Sequence, residues 1–336
     1  MKEGDVVTMT VTRATETRDD VPCRNRACSV IICAYTAERW DDTMRAVASA
    51  QTQQPAPNEV ILVVDHNPEL LARLAERLPG VRVVPNTSER GSSGARNTGV
   101  ALATGDIVVF LDDDAVAQPG WLAALTVHYA NPDVMGVGGR TTPGWATNRP
   151  IWWPPEFDWV IGCAYTGREP GIVRNLHGGN DSFRRDVFAN GGFTPQIARS
   201  AHDRRQLSGE ATEFCIRAGK AWPRRVFMYD DRAVITHRIP EARERFSYFC
   251  KRCYAEGVSK ALVTTSVGLG AGLATERRYT AVTLPVGVLR GLRRAARGDW
   301  AALLPAAAIV VGLMSTALGY VVGSIRQICH RGSGGA

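Results

Sequence analysis

The sequence predicts an α/β fold, a mostly parallel sheet flanked by helices, with a C-terminal helix long enough to cross a membrane. Three observations lead there. Between residues 28 and 130, short runs of Val, Ile and Leu alternate with stretches of helical periodicity; such uninterrupted apolar strands are buried on both faces, as parallel strands are. Three of the runs stop at polar residues: Tyr35-Thr36, Asp65-His66-Asn67 and Asp112-Asp113-Asp114. Residues 301–325 then run for 25 positions without a charge.

In chain order, residues 1–27 are polar and without period, so we expect a flexible arm. Ser29-Val-Ile-Ile-Cys-Ala34 reads as a buried strand and Trp40 to Gln53 as a helix. Glu59-Val-Ile-Leu-Val-Val64 is a second strand, followed by a helix from Pro68 to Arg77 and a short strand at Val81-Arg-Val-Val84. Gly94 to Ala103 is expected as a helix, Asp106-Ile-Val-Val-Phe-Leu111 as a fourth strand and Pro119 to Ala130 as a helix. From about 140 to 180 the pattern turns irregular, with Arg149-Pro-Ile-Trp-Trp-Pro-Pro-Glu156 read as a loop or lid. Short strands and helices resume through Thr236.

The uncharged run at 301–325 suffices for a bilayer crossing with some tilt. Arg290, Arg293, Arg294 and Arg297 precede it, and only Arg326 and Arg331 follow, which places the large N-terminal part in the cytosol. Ala261–Thr275 and Tyr279–Leu289 are also uncharged but too short to span, and are expected at the interface.

Composition narrows the function classes. At 45% apolar and 22% charged residues the chain is globular. Its net charge of +7 comes from dispersed Arg residues without aromatic interleaving, which argues against nucleic acid and for an anionic small substrate or membrane face. Eight scattered cysteines and no secretory leader point to reduced thiols; the Cys250–Cys253 pair lies in a helical stretch with no second ligand pair.

In a parallel sheet, ligands sit at the carboxyl ends of the strands, so the three polar strand ends converge on one crevice. Three successive aspartates at the end of an apolar strand suit a hard divalent cation, Mg²⁺ or Mn²⁺, whose coordination is completed by substrate phosphates. Alternation would put Asp112 and Asp114 on one side. Asp65 can accept from a nucleobase N–H or ribose hydroxyl, or start an Asx turn. Arg96, in Arg90-Gly-Ser-Ser-Gly-Ala-Arg-Asn97, either contacts a phosphate or pairs with the acidic crevice. His237 either approaches the metal or is structural, and His177 reads as structural.

The order of motifs resembles the family 2 glycosyltransferases of the GT-A (Rossmann-like) fold: Ala34-Tyr35, Val64-Asp65, Gly94-Ala-Arg-Asn97 and Thr104-Gly-Asp-Ile-Val-Val-Phe-Leu-Asp-Asp-Asp114. Gly178-Gly-Asn-Asp-Ser-Phe-Arg-Arg-Asp-Val-Phe188 with Gly191-Gly-Phe193 is similar to that family's donor-sugar and acceptor region. Ser208-Gly-Glu-Ala-Thr-Glu-Phe-Cys-Ile-Arg-Ala-Gly219 resembles its Gly-Glu-Asp helix start. The resemblance implies a domain over 28–245, with a nucleotide-sugar half at 28–139, an acceptor half at 140–245, and membrane-associated helices at 246–336. It implies donor contacts from Ala34, Tyr35, Asp65, Arg96, Asp112, Asp113 and Asn180, and metal contacts from Asp112, Asp114 and His237. The family's acidic pair is here Glu210-Ala211, so the catalytic base is Glu210 or, as runner-up, Glu213.

The implied chemistry is an inverting transfer from a nucleotide-diphosphate sugar, UDP favoured over GDP, with a metal at the leaving diphosphate and a carboxylate at the acceptor hydroxyl. Phe249 to Leu262, with Glu256-Gly-Val-Ser-Lys-Ala261, looks like the tail of family members that act on lipid-linked or envelope glycans, which implies a polyprenyl-linked acceptor. Two other readings compete. A nucleotidyltransferase would carry a Gly-rich basic loop where Tyr35-Thr-Ala-Glu38 stands, and a non-catalytic nucleotide-sugar-binding membrane protein need not keep three aspartates at 112–114.

Overall fold

The computed structural model describes residues 27–194, 210–267 and 278–333. Four strands form a parallel block in the order β3-β2-β1-β4: β1 (Cys28–Ala34), β2 (Glu59–Val64), β3 (Arg82–Pro85) and β4 (Ile107–Asp112). Strand alternation sorts their side chains onto two faces. Val30, Ile32, Leu62 and Val109 pack with α1 (Trp40–Gln51), α2 (Pro68–Arg77) and α4 (Trp121–Thr126) on one face. Ile31, Ile61, Val63, Val108 and Phe110 face α3 (Ser92–Leu102) and Phe214 of α5 (Glu210–Ala221) on the other. The crossover helices make the parallel register possible, and the strands' carboxyl ends all open on one edge.

Beyond β4 the sheet is mixed, where a mostly parallel one was expected. It continues with β5 (Ala115–Ala117), β6 (Val134–Gly144), β7 (Gly171–Val173), β8 (Asn180–Arg184) and β9 (Val226–Arg238), in the order β4-β8-β6-β9-β5, with β7 also on β9. β8 runs antiparallel to both β4 and β6, whereas β6 and β9 pair in parallel. The stretch between β6 and β8 supplies no long crossover helix, only a 3₁₀ helix at Pro155–Ile161, so β8 enters against its neighbours.

The Trp-rich segment expected as a loop or lid is a loop, packed down as a joint. Trp153 and Phe157 are buried together with Phe249 and Cys253 of α6 (Phe246–Val267), Leu284 of α7 (Leu284–Ala295) and Ile309 of α8 (Leu303–Ser333). The ring centroids of Trp153 and Phe157 lie 5.4 and 5.2 Å from Phe249. Three aromatic rings bury too much apolar area for this stretch to swing freely. The CxxC cysteines sit on α6 as free thiols, Cys253 buried, and Cys23 and Cys329 fall where no side chain is described.

α6 and α8 touch backbone to backbone. A Cβ on Gly257 would lie 2.0 Å from the Thr316 carbonyl oxygen, and one on Gly319 would lie 2.0 Å from that of Tyr254. Small residues at such crossings let helices approach closely, as membrane helices do. On its other side α8 presents Val310, Leu313, Met314, Leu318, Val321 and Ile325 outward. The 27-residue apolar stretch Trp300–Arg326, at about 1.5 Å per residue, exceeds a hydrocarbon core of about 30 Å. α7 shows Val286, Leu289 and Leu292 outward and turns Gly287, Gly291 and Ala295 onto its neighbours. The expected arm at 1–27, all but its last residue, and most of the run at Ala261–Thr275 lie outside the described residues.

Candidate active site

A cavity of about 490 Å³ opens at the carboxyl ends of β1, β2 and β4. Ala34, Tyr35, Asp65, Arg96, Asp112, Asp113, Asp114 and His237 all border it, so eight of the eleven expected side chains meet there. Ala34 and Tyr35 follow directly from β1, and Tyr35 stays half exposed. Asp65 follows β2 and accepts from Asn86 Nδ2 at 2.7 Å and the Gly91 backbone N–H at 2.9 Å, with His66 Nδ1 at 2.9 Å. Burial works upward on Asp65, yet those bonds hold its carboxyl below the usual range.

The three aspartates divide. Asp112 falls on the α3 face of β4, with a side chain 42% exposed and Arg96 Nη2 at 3.4 Å. Gly179 makes room for it, since a Cβ there would stand 2.1 Å from Asp112 Oδ2. Asp113 and Asp114 turn inward to Arg39 Nη1, at 2.7 and 3.1 Å. Burial, with the charge of Asp114 beside it, pushes Asp113 up to about 7 despite Arg39, and Asp113 Oδ2 has no hydrogen-bond partner. Asp114 also meets His237 Nε2 at 3.2 Å. Burial raises Asp114, but the bond and charge of His237 outweigh it and hold its carboxyl low; the same pair lifts His237 against its own burial. Asp112 therefore faces Arg96, while Asp114 faces Arg39 and His237; simple alternation put them on one side.

Arg96 joins the two ends of the site. It is buried on α3, with Nη1 2.8 Å from Glu210 Oε1, and its guanidinium lies 5.6 Å from the Phe110 ring centroid. Burial lowers its pKa and the charges of Glu210 and Asp112 raise it, with a net rise. Arg96 pairs with the acidic groups, as one of the two expectations had it, and it also lines the cavity. Glu210 begins α5 and accepts from Ser92 Oγ at 2.8 Å and Ser93 Oγ at 2.7 Å. It borders a second cavity, also about 490 Å³, that adjoins the first through Ser92, Arg96 and Thr141. Glu213 lies one turn on and borders neither cavity; Arg217 holds it at 2.9 Å and Thr194 at 3.1 Å.

Asn180 points away from the crevice. Its amide accepts from Trp121 Nε1 at 2.8 Å and donates to the Ala233 carbonyl at 3.1 Å, a structural use of both ends. The next residue, Asp181, faces the Arg96 side instead: it is fully buried, neither carboxylate oxygen has a partner, and burial pushes it up to about 7. Sequence reasoning missed Asp181, Arg39 and the serine pair. Asp181 adjoins Asn180 within the same motif, and knowing the phase of β8 would have exchanged them. Arg39 stands at the end of a one-turn helix just past the first polar strand end, which was signal enough.

Among the described residues no three His, Cys, Asp or Glu side chains form a closed metal cage. An open site suits a hard cation that takes its remaining ligands from substrate phosphates. Asp112 is open to the cavity, the Asp114–His237 pair borders it, and buried His237 Nδ1 has no partner. That oxygen and imidazole set fits a divalent ion.

Comparison with known proteins agrees with this architecture. Residues 29–192 match the family described as Glycosyl transferase family 2. Over 242 residues the chain is 36% identical to the glucosyl-dolichyl phosphate glucuronosyltransferase of Haloferax volcanii, spanning 70% of this chain and 76% of that protein. The mannosyltransferase PcManGT from Pyrobaculum calidifontis, in complex with GDP-Man and Mn²⁺, superposes with a TM-score of 0.51 at 19% identity, over 89% of this chain and 86% of that one. GalNAc-T7 with UDP, GalNAc and Mn²⁺ gives a TM-score of 0.50 at 16% identity, over 77% and 54%. These two likenesses speak of fold, and the fold is GT-A. Continuous similarity over three quarters of the Haloferax enzyme speaks of descent: this chain belongs to the family 2 glycosyltransferases.

Proposed function

We propose that this chain is a metal-dependent, inverting hexosyltransferase that moves a sugar from a nucleotide-diphosphate donor to a hydroxyl of a lipid-linked glycan. The observation that carries the reading is the pair of adjoining cavities, one edged by Asp65 and Asp112–Asp114 and the other by Glu210, with Arg96 between them. Asp65 receives the base, Tyr35 its face, and Asp112 and Asp114 with His237 hold Mg²⁺ or Mn²⁺. When bound, the cation neutralises charge on the departing diphosphate. Arg96 and the serine hydroxyls hold Glu210 at the acceptor side, where its carboxylate takes the proton of the attacking hydroxyl. Attack from the face opposite the diphosphate inverts the anomeric centre. The metal and site assignments agree with the Mn²⁺ in the two solved neighbours and with motif order, and the lipid-linked acceptor with the Haloferax enzyme's name and the apolar α8.

The arginines preceding α8 favour the catalytic domain on the cytoplasmic face of the cell membrane. We propose a UDP-sugar ahead of a GDP-sugar as the donor, with the Asp65 carboxylate accepting an N–H of the base. Thermal unfolding of the detergent-solubilised chain against a panel of nucleotide sugars tests the donor site. Stabilisation that needs Mn²⁺ and vanishes with chelator is expected, and no stabilisation by any nucleotide sugar would overturn the reading.

A further inference from the structure

The second cavity carries an inference that rests on the glycosyltransferase reading and deepens it. Glu210 is the single carboxylate on its wall among the described residues, against the guanidinium groups of Arg96, Arg168, Arg243 and Arg252. Arg96 is taken by Glu210, and Arg252 of α6 pairs with Glu256 at 3.2 Å. Arg168 meets no carboxylate among the described residues; Arg243 forms no close ion pair among them, although its charge reaches Asp114. Arg168 lies across the Tyr229 ring, 4.0 Å from its centroid, with Nη1 2.9 Å from His177 Nδ1. Burial pulls the Arg168 guanidinium below its ordinary range, with no anion to offset the cost. A half-buried cation without a counterion stands ready for an anionic ligand, and the planar guanidinium fork matches two phosphate oxygens at once.

Position identifies the ligand further. Trp159 and Tyr248 border the same cavity; Trp159 donates to the Tyr279 hydroxyl just before α7, and Tyr248 lies on α6, which packs along the apolar α8. The cavity therefore leads from Glu210 past unpaired arginines to the membrane-facing helices. We infer that Arg168 and Arg243 bind the phosphate ester of an isoprenoid-linked acceptor, leaving its sugar hydroxyl at Glu210 and its hydrocarbon tail along α6 and α8. Arg168 borders only the second cavity, whereas Arg243 borders both, so Arg168 is the cleaner residue to vary.

Quenching of tryptophan fluorescence in the full detergent-solubilised chain compares farnesyl phosphate, farnesol, inorganic phosphate and lysophosphatidylglycerol. Wild type should bind farnesyl phosphate at least about tenfold more tightly than the other three, because the site reads phosphate and isoprenoid together. Arg168→Gln should cut the preference over farnesol at least about fivefold, and Arg168→Lys, which keeps the charge and loses the fork, should fall between. Mn²⁺-dependent stabilisation by nucleotide sugar reports that each variant is folded. Equal binding of farnesol overturns the inference, as do inorganic phosphate or lysophosphatidylglycerol matching farnesyl phosphate, or a preference unchanged in both variants. Any of these results with donor stabilisation intact defeats the inference alone; loss of donor stabilisation in wild type defeats the function on which it rests.

Discussion

The cavity at the strand ends and its neighbour meet at Arg96 but are built differently. The first is walled by the ends of β1, β2 and β4, and its carboxylates are engaged: Asp65 with Asn86, Asp112 with Arg96, Asp113 and Asp114 with Arg39. The second is walled by the 3₁₀ segment at Pro155–Ile161, the loop around Arg168, the start of α5 and the helix α6, and the Arg168 cation on it lacks a counter-charge among the described residues. A site that must hold its acidic groups close before a cation arrives needs them neutralised in advance. A site that receives an anion keeps its cations unspent. On the proposed function, the contrast is the one expected between a donor-and-metal wall and an acceptor wall.

The largest effect should come from the donor wall. Asp114→Asn removes a charge beside His237 and Arg39, and turnover should fall on the order of 10⁴-fold, since a bound cation supplies several kcal/mol to the transition state. Calorimetry should show Mn²⁺-dependent donor binding gone; unchanged affinity would remove Asp114 from the metal site. On the acceptor side, Glu210→Gln should lower turnover by about 10²–10⁴-fold with donor affinity nearly constant, and Glu213→Gln should change it little. Rates at saturating donor rank the two, and the reverse order would move the base to Glu213.

A smaller effect is expected where the chain meets the bilayer. Met314 and Leu318 are 66% and 58% exposed near the middle of the apolar stretch, and a charge there costs about 2.5–3.5 kcal/mol. Lys at both positions should cut the carbonate-resistant membrane fraction by more than about half; full retention would show that α8 does not span. The smallest effect concerns Asp181, buried on β8 within reach of the Arg96 charge. An unfolded aspartate titrates near 3.9, while burial in the fold pushes Asp181 up to about 7. The folded chain thus keeps a proton that the unfolded chain releases, and stability present at low pH is lost as pH rises through 7. Asp181→Asn escapes that loss, so its melting temperature should gain on wild type by at least about 2 °C between pH 5 and pH 8. Parallel curves would show that Asp181 stays ionised in the fold.

The same contrast explains what was legible in the sequence. The parallel block and its three polar ends were readable because each strand carries its own apolar run and its own terminal signal. Asp65 and Asp112–Asp114 followed from that, and motif order brought in Glu210. The mixed half was not readable in direction, because β8 pairs with β4 and β6 from about 70 and 45 residues away and nothing local records it. Asn180 and Asp181 changed places for want of the strand's phase. That the loop at Trp152 and Trp153 is packed was not readable, because the surface that covers it, Phe246 and Phe249 of α6, comes nearly 100 residues later. The arginines of the second cavity were invisible for the same reason: Arg168, Arg243 and Arg252 converge only through tertiary contacts.

The central claim, metal-dependent transfer of a sugar onto a lipid-linked acceptor, is tested most directly by following radiolabel. The purified chain would be incubated with labelled UDP- and GDP-sugars, a glycosylated isoprenyl phosphate and Mn²⁺, and the label counted in the organic phase. The expected result is label on the lipid from one donor, none with chelator, recovery on adding Mn²⁺, and an anomeric configuration opposite to the donor's. Transfer undiminished by chelator, a retained configuration, or no label on lipid from any nucleotide sugar would contradict the account.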